Sequence, residues 1–167
     1  LEAVPRVVVS SPDAGGTIEI ERKYLLRAVP ALPPDAVRLV MEQGYLPGRV
    51  ITERLRRTAD GDVVRHHRTV KGGRGIARIE LEEECDAALF AALWPLTVGR
   101  RLTKVRYRVP HGALVWEIDV FTDRELVLAE VELPAVDAAV GIPAWLTPVL
   151  DREVTGESAY VNAVLAR

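Results

Sequence analysis

The chain has 167 residues, 49% of them hydrophobic, enough for one domain with a substantial core. A net charge of −2 carries none of the basic excess that general nucleic-acid binding needs, and no apolar run is long enough for a bilayer-spanning helix. The single cysteine, Cys85, rules out an internal disulfide framework and suits a reducing cytoplasm.

Residues 1–16 hold Pro5, Pro12 and Gly15-Gly16 and read as a flexible N-terminal leader, although Val7-Val8-Val9 has the composition of an edge strand. Residues 17–167 read as a single domain. Its first strand covers 17–27, where Glu19, Glu21 and Lys23 fall at alternate positions. Alternate side chains share one face of a strand, so two carboxylates and an ammonium stand opposite Ile18 and Ile20. A second strand is expected over 37–46 and a third over 50–59, with Arg54 and Arg56 on one face and Leu55 on the other. Asp60-Gly61 predicts a tight hairpin with positive φ at both central residues. The strand over 62–71 aligns Arg65, His67, Thr69 and Lys71. After the turn at Gly72-Gly73-Arg74-Gly75, the strand over 76–84 aligns Arg78, Glu80, Glu82 and Glu84. Asp86 then caps a short helix over 87–94, stopped by Pro95. Three strands follow. That over 101–109 aligns Lys104, Arg106 and Arg108; that over 113–121 sets Glu117 and Asp119 against Trp116 and Ile118; that over 125–133 aligns Glu130 and Glu132. Helical segments are expected near 135–140 and over 156–166.

The pattern is mainly β, an α+β chain of about eight antiparallel strands, and eight strands suffice to close a barrel. Two arrangements satisfy it. The commoner packs the apolar faces inside and leaves the charges solvated. The inverse lines the interior with charge and covers an apolar outside with helices. Charge sorting favours the inverse: Arg54/Arg56 and Lys104/Arg106 are wholly basic, Glu117/Asp119 and Glu130/Glu132 wholly acidic. Exposed ion pairs contribute only ~0–1 kcal/mol, a weak reason for such sorting. A cavity that holds cations beside a polyanion is a stronger one. Clustered carboxylates are hard oxygen ligands for Mg²⁺ or Mn²⁺, and Arg and Lys match phosphate oxygens. Phosphoryl transfer needs chiefly positioning and charge neutralisation.

The strand Glu19-Ile20-Glu21-Arg22-Lys23 resembles the signature of the CYTH superfamily, the triphosphate tunnel metalloenzymes. In order after it come Gln43-Gly44-Tyr45-Leu46, Arg54-Leu55-Arg56, Thr69-Val70-Lys71, Arg78-Ile79-Glu80-Leu81-Glu82, Lys104-Val105-Arg106-Tyr107, Glu117-Ile118-Asp119 and Glu130-Val131-Glu132. The resemblance covers the chain from about Thr17 to its end, and is nearest to small bacterial inorganic triphosphatases. It implies an eight-stranded closed tunnel with a charged interior, and a Mg²⁺- or Mn²⁺-dependent hydrolase removing the terminal phosphate of tripolyphosphate. By family pattern Glu19, Glu21, Glu130 and Glu132 would hold metal. Lys23, Arg54, Arg56, Lys71, Arg78, Lys104 and Arg106 would grip phosphates. Glu80, Glu82, Glu117 and Asp119 would place a second metal or the attacking water, with Lys71 also near the chemistry. The implied partner is a small polyphosphate, without nucleic acid or membrane, the protein being a cytoplasmic monomer or homodimer. One departure stands out: Glu157-Ser158-Ala159 precede Tyr160, where the family often has a basic residue.

Rival readings remain open at this level. Nucleoside triphosphatase, thiamine triphosphatase and adenylate cyclase share the fold, and Trp116 or Trp145 would be the stacking platform for a ring. A non-catalytic polyphosphate or nucleotide binder would use the same residues without turnover. His66 and His67 are neighbours in a strand and face opposite ways, against a shared metal. The glycine-rich 72–75 lacks the Lys-Ser/Thr ending of a phosphate loop.

Overall fold

The structure is a computed structural model that describes residues 6–10, 20–72, 78–135 and 138–167, with backbone alone for 6–10, 72 and 78–80. Ten strands form: β1 (Arg6–Ser10), β2 (Ile20–Leu26), β3 (Val37–Tyr45), β4 (Ile51–Asp60), β5 (Val63–Gly72), β6 (Arg78–Glu84), β7 (Arg101–His111), β8 (Leu114–Phe121), β9 (Val127–Leu133) and β10 (Leu150–Glu153). Helices are few and short: α1 (Ala87–Leu93) and α2 (Asn162–Leu165), with 3-10 turns between strands. None among the described residues is long and apolar enough to cross a membrane.

The strand order is β1-β6-β5-β4-β3-β7-β8-β9-β2-β10. This mainly antiparallel sheet corrects the expected closed barrel of eight strands: among the described residues there are ten, with β1 and β10 at the ends of the order. The physical reason is at the edges. The edge of β6 is taken by β1, the Val7-Val8-Val9 segment read as part of the leader, and the edge of β2 by β10. Paired in this way, β6 and β2 have no free edges left with which to pair each other.

The chain packs as two compact units. The first holds β1, β6, β5, β4 and Met41–Tyr45 of β3, with α1. Here β4 and β5 pair from Ile51↔Gly72 to Asp60↔Val63, so the loop is Gly61-Asp62, one residue later than expected. Only Gly61 takes positive φ (55°), because the glycine lacks the Cβ that penalises that region and Asp60 remains in the strand. Asp86 caps α1 as predicted, its Oδ1 accepting from Leu89 N at 2.7 Å. The helix buries Phe90 against His66, ring centroids 4.6 Å apart, and Trp94 stacks on Phe90 at 5.0 Å. A Cβ on Gly44 would sit 2.6 Å from Thr97 Oγ1 and 2.8 Å from Trp94, so glycine is what lets β3 approach this turn.

The second unit holds β7, β8, β9, β2, β10 and Val37–Val40 of β3. Its core lies on one face of the sheet, where Tyr24, Trp116, Ile118, Ala129, Val131 and Leu146 are buried. Leu32, Ala36, Ile142 and Trp145 cover that face from the connecting segments. The helix expected near 135–140 does not form over the described residues 138–140. Pro134 and Pro143 bracket this stretch, and Ala138, Val140 and Ile142 reach the core from irregular backbone. The closing helix shrinks to a 3-10 turn at Ser158–Tyr160 and the four residues of α2.

Candidate active site

Cross-strand register assembles the charged face of the second unit. Lys23 opposes Glu130, Glu130 opposes Glu117 and Glu117 opposes Arg108, forming one row across β2, β9, β8 and β7. Glu21↔Glu132 forms the flanking row on one side and Asp119↔Arg106 lies on the other. This face is opposite the apolar core, yet its centre is not solvated. The side chains of Lys104 and Asp119 are 0% exposed and that of Arg106 only 11%. Solvated charge therefore does not describe the centre of this face, while Glu21, Arg108 and Glu132 at its margin are exposed.

Burial of a charge is costly unless it is paired, and the pairing here is dense. Lys104 Nζ lies 2.5 Å from Asp119 Oδ2. Arg106 donates from Nε to Asp119 Oδ1 at 2.6 Å and from Nη2 to Asp119 Oδ2 at 2.7 Å and Glu130 Oε2 at 3.1 Å. Its Nη1 donates to Glu117. Four of the five donors of a guanidinium are thus on carboxylates. Lys23 Nζ meets Glu130 Oε1 at 2.9 Å, Glu21 Oε1 at 3.2 Å and the Tyr160 carbonyl at 3.3 Å. The pKa values follow. Burial pushes the Asp119 carboxyl up, but Lys104 and Arg106 outweigh it and hold it down to about 2. Burial lowers the Lys104 ammonium despite Asp119. Burial pulls Lys23 down, and Glu130 and Glu21 more than reverse it. Glu21 is the exception among the carboxylates: burial and then Glu130 raise it beyond what Lys23 offsets.

Beside this network is a pocket of about 280 Å³, lined by Glu21, Glu117, Glu130, Glu132 and Arg108 with Ala113–Val115 of the β7–β8 hairpin. Its donors are hard carboxylate oxygens, the kind that Mg²⁺ and Mn²⁺ take. Glu21 is raised chiefly by burial and next by the neighbouring Glu130 carboxylate. Among the described residues no three carboxylates converge as a ligand set, because Lys23 and Arg106 hold the inner oxygens. Glu19 lies outside the described residues.

The charged face of the first unit is built differently. Register sets Arg54 against Thr69 and Thr69 against Glu82, with Arg56↔His67↔Glu84 as the next row. Glu82 forks between two arginines: Oε2 accepts from Arg54 Nη2 and Oε1 from Arg56 Nη2, both at 3.0 Å. Thr69 is wholly buried. Its hydroxyl donates to Glu82 Oε2 at 2.8 Å and accepts from Arg54 Nη2 at 3.0 Å. Burial pushes Glu82 up, but Arg56, the Thr69 hydrogen bond and Arg54 together hold it low. Arg54 Nε is buried without a hydrogen-bond partner among the described residues. Lys71 is exposed and opposes Glu80 in the register. The side chains of Arg78 and Glu80 lie outside the described residues. His67 faces Arg56 while His66 packs on Phe90, so the two imidazoles point apart, as the strand period requires.

The structure thus gathers Glu21, Lys23, Lys104, Arg106, Glu117, Asp119, Glu130 and Glu132 on one face, and Arg54, Arg56, Lys71 and Glu82 on another. Sequence reasoning left out Arg108, although it continues the alternation of Lys104 and Arg106. It also left out the Tyr160 carbonyl, a backbone group with no side-chain signal. Glu157, where a basic residue was expected, pairs with Arg152. Trp116 is 0% exposed in the core and offers no face to a ring.

No protein-family model matches the chain. An inorganic triphosphatase of Nitrosomonas europaea is 38% identical over 154 residues, spanning 89% of this chain and 96% of the relative. An inorganic triphosphatase of Acetivibrio thermocellus is 30% identical, spanning 89% and 93%. The crystal structure of the inorganic triphosphatase NE1496 superposes with a TM-score of 0.66 at 33% identity, over 89% of this chain and 94% of that one. The PH1819 protein of Pyrococcus horikoshii shares the fold at a TM-score of 0.50 and 18% identity, over 72% and 80%.

Proposed function

The chain belongs to the inorganic triphosphatase family, a CYTH-like group, and from that membership we propose that it hydrolyses inorganic tripolyphosphate with Mg²⁺ or Mn²⁺. Water attacks the terminal phosphorus, the bridging P–O bond breaks, and phosphate and diphosphate leave. The observation that carries this reading is the buried charged face of the second unit beside a carboxylate-lined pocket.

In this reading Glu21 and Glu132, with Glu19 and Glu130 by family pattern, would hold the cation, which would neutralise phosphate oxygens. On the first unit Arg54, Arg56, Lys71 and, by family pattern, Arg78 are the candidates for phosphate; on the second unit Lys23, Lys104 and Arg106, the family's phosphate ligands, are engaged by Glu21, Glu130, Asp119 and Glu117 and hold those carboxylates in place. Thr69 and Glu82 orient the arginine pair. Glu117 lines the pocket and is the carboxylate best set to orient water, with Glu80 its counterpart by family pattern. Asp119 is sealed and acts by fixing Lys104 and Arg106. No Ser, Cys or His nucleophile is required, because charge neutralisation and alignment supply the catalysis. The lone cysteine supports a cytoplasmic setting, and we take the protein to be a monomer or homodimer.

The test is phosphate release from tripolyphosphate, ATP and thiamine triphosphate, each with Mg²⁺, Mn²⁺ or chelator, for wild type and Glu21→Gln. Fast metal-dependent release from tripolyphosphate is expected, falling by about 100-fold or more in the variant. No release from any substrate by the folded, metal-loaded protein leaves a polyphosphate binder instead.

A further inference from the structure

The cations on the charged face of the second unit differ in what they have left to offer. Lys104 is sealed against Asp119. Arg106 has four donors on carboxylates, and Lys23 has three partners, Glu130, Glu21 and the Tyr160 carbonyl. Arg108 stands apart. Its side chain is 51% exposed and lines the pocket, and its one ion pair among the described residues is a long one, Nε to Glu117 Oε1 at 3.4 Å. Both Nη groups are without a carboxylate partner among the described residues.

A planar fork of unpaired N–H donors at the wall of a pocket is suited to phosphate oxygens. The other described lining residues are carboxylate or apolar, so Arg108 is the cation among them that can meet a polyanion. We propose that Arg108 is a substrate-binding residue that captures the phosphate chain at this pocket and sets its affinity, while the sealed cations hold the carboxylates in place. The assignment rests on the triphosphatase reading for the identity of the anion. It predicts a role in KM and in recognition of chain charge, not in bond cleavage. Register also explains why Arg108 stays available: its row partner Glu117 is already engaged by Arg106, so the carboxylate is shared.

The experiment uses the full chain with tripolyphosphate and saturating Mg²⁺, comparing wild type, Arg108→Met and Arg108→Lys. Calorimetric binding of tripolyphosphate in chelator is measured alongside. Arg108→Met is expected to raise KM about tenfold, the loss of one charge-assisted contact, with kcat within about twofold. The salt dependence of kcat/KM becomes shallower, and Arg108→Lys recovers part of the affinity. Unchanged KM, salt dependence and calorimetric affinity in Arg108→Met overturn the assignment while leaving the hydrolase reading intact. A wild type that binds tripolyphosphate without cleaving it, and loses that binding in Arg108→Met, sinks the hydrolase reading and keeps the capture site.

Discussion

The two charged faces use the same residue types to opposite ends. In the second unit five carboxylates (Glu21, Glu117, Asp119, Glu130 and Glu132) meet four cations, and the most central pairs are buried. In the first unit Arg54 and Arg56 share Glu82, and the exposed Lys71 stands opposite Glu80 in the register. A face with surplus carboxylate attracts a metal ion; a face with surplus guanidinium and ammonium attracts a polyanion. The difference teaches that charge count alone does not assign a role. Arg106 and Arg54 are both strand arginines on a charged face, yet Arg106 is spent on orienting carboxylates while Arg54 keeps a buried Nε unpaired among the described residues.

The sharpest way to break the comparison is to remove Asp119. The Lys104 ammonium, with no exposed side-chain surface, would then be left without its nearest counter-ion. Breaking a buried pair on one side costs about 3–5 kcal/mol. Asp119→Ala is therefore expected to lose that much stability in urea unfolding, and Lys104→Met/Asp119→Leu to recover only part of it, because Arg106 also loses two hydrogen bonds to Asp119. A cost below about 1 kcal/mol would mean this face is solvated like an ordinary surface, and the contrast between the units would collapse.

Acid titration sharpens the same contrast at a smaller scale. Asp119 falls from an ordinary 3.8 to about 2 in the folded chain. Its stabilising contribution is full above 3.8 and is lost as pH falls through about 2, so between those values wild type should lose about 2 kcal/mol that Asp119→Asn does not. Glu82, also lowered, has the same sign. Glu21 has the opposite sign: its raised pKa means that the ionised group weakens the fold as pH rises through its titration. Glu21→Gln should accordingly be no less stable than wild type at neutral pH, which separates its effect on turnover from any effect on folding. A thermal melt at neutral pH showing clear destabilisation of this variant would contradict the strain assigned to Glu21.

Much of this was legible in the chain. Period-two alternation placed Glu21 with Lys23, Arg54 with Arg56 and Glu117 with Asp119 on shared faces, and Asp86 with Pro95 bracketed the one substantial helix. Val7-Val8-Val9 had the composition of the edge strand that β1 is, but β10 was not legible, being four residues long and dependent on the free edge of β2. The closing helix failed for a related reason. Its apolar spacing is helical, but the Tyr160 carbonyl accepts from Lys23, a partner 137 positions away. Within the site, alternation gives faces but not register. Which carboxylate holds which cation depends on how strands slide against each other, so the saturation of Arg106 and the availability of Arg108 emerged only with the pairing of β7 and β8.

The smallest effect tests how the arginine pair of the first unit is held. Thr69 carries no charge, so replacing it leaves the electrostatics of Arg54, Arg56 and Glu82 in place and removes only their shared hydroxyl. Thr69→Val keeps the β-branched shape that suits a strand and loses one donated and one accepted hydrogen bond. A cost of about 1 kcal/mol in stability is expected, since the site is buried and Glu82 retains both arginines. Arg54 gains a rotamer it did not have, so KM for tripolyphosphate should rise by a few-fold with little change in kcat. Thr69→Ser restores the hydroxyl and should restore KM. If valine and serine behave alike, the hydroxyl does not order the arginines, and the Glu82 carboxylate alone would account for their positions.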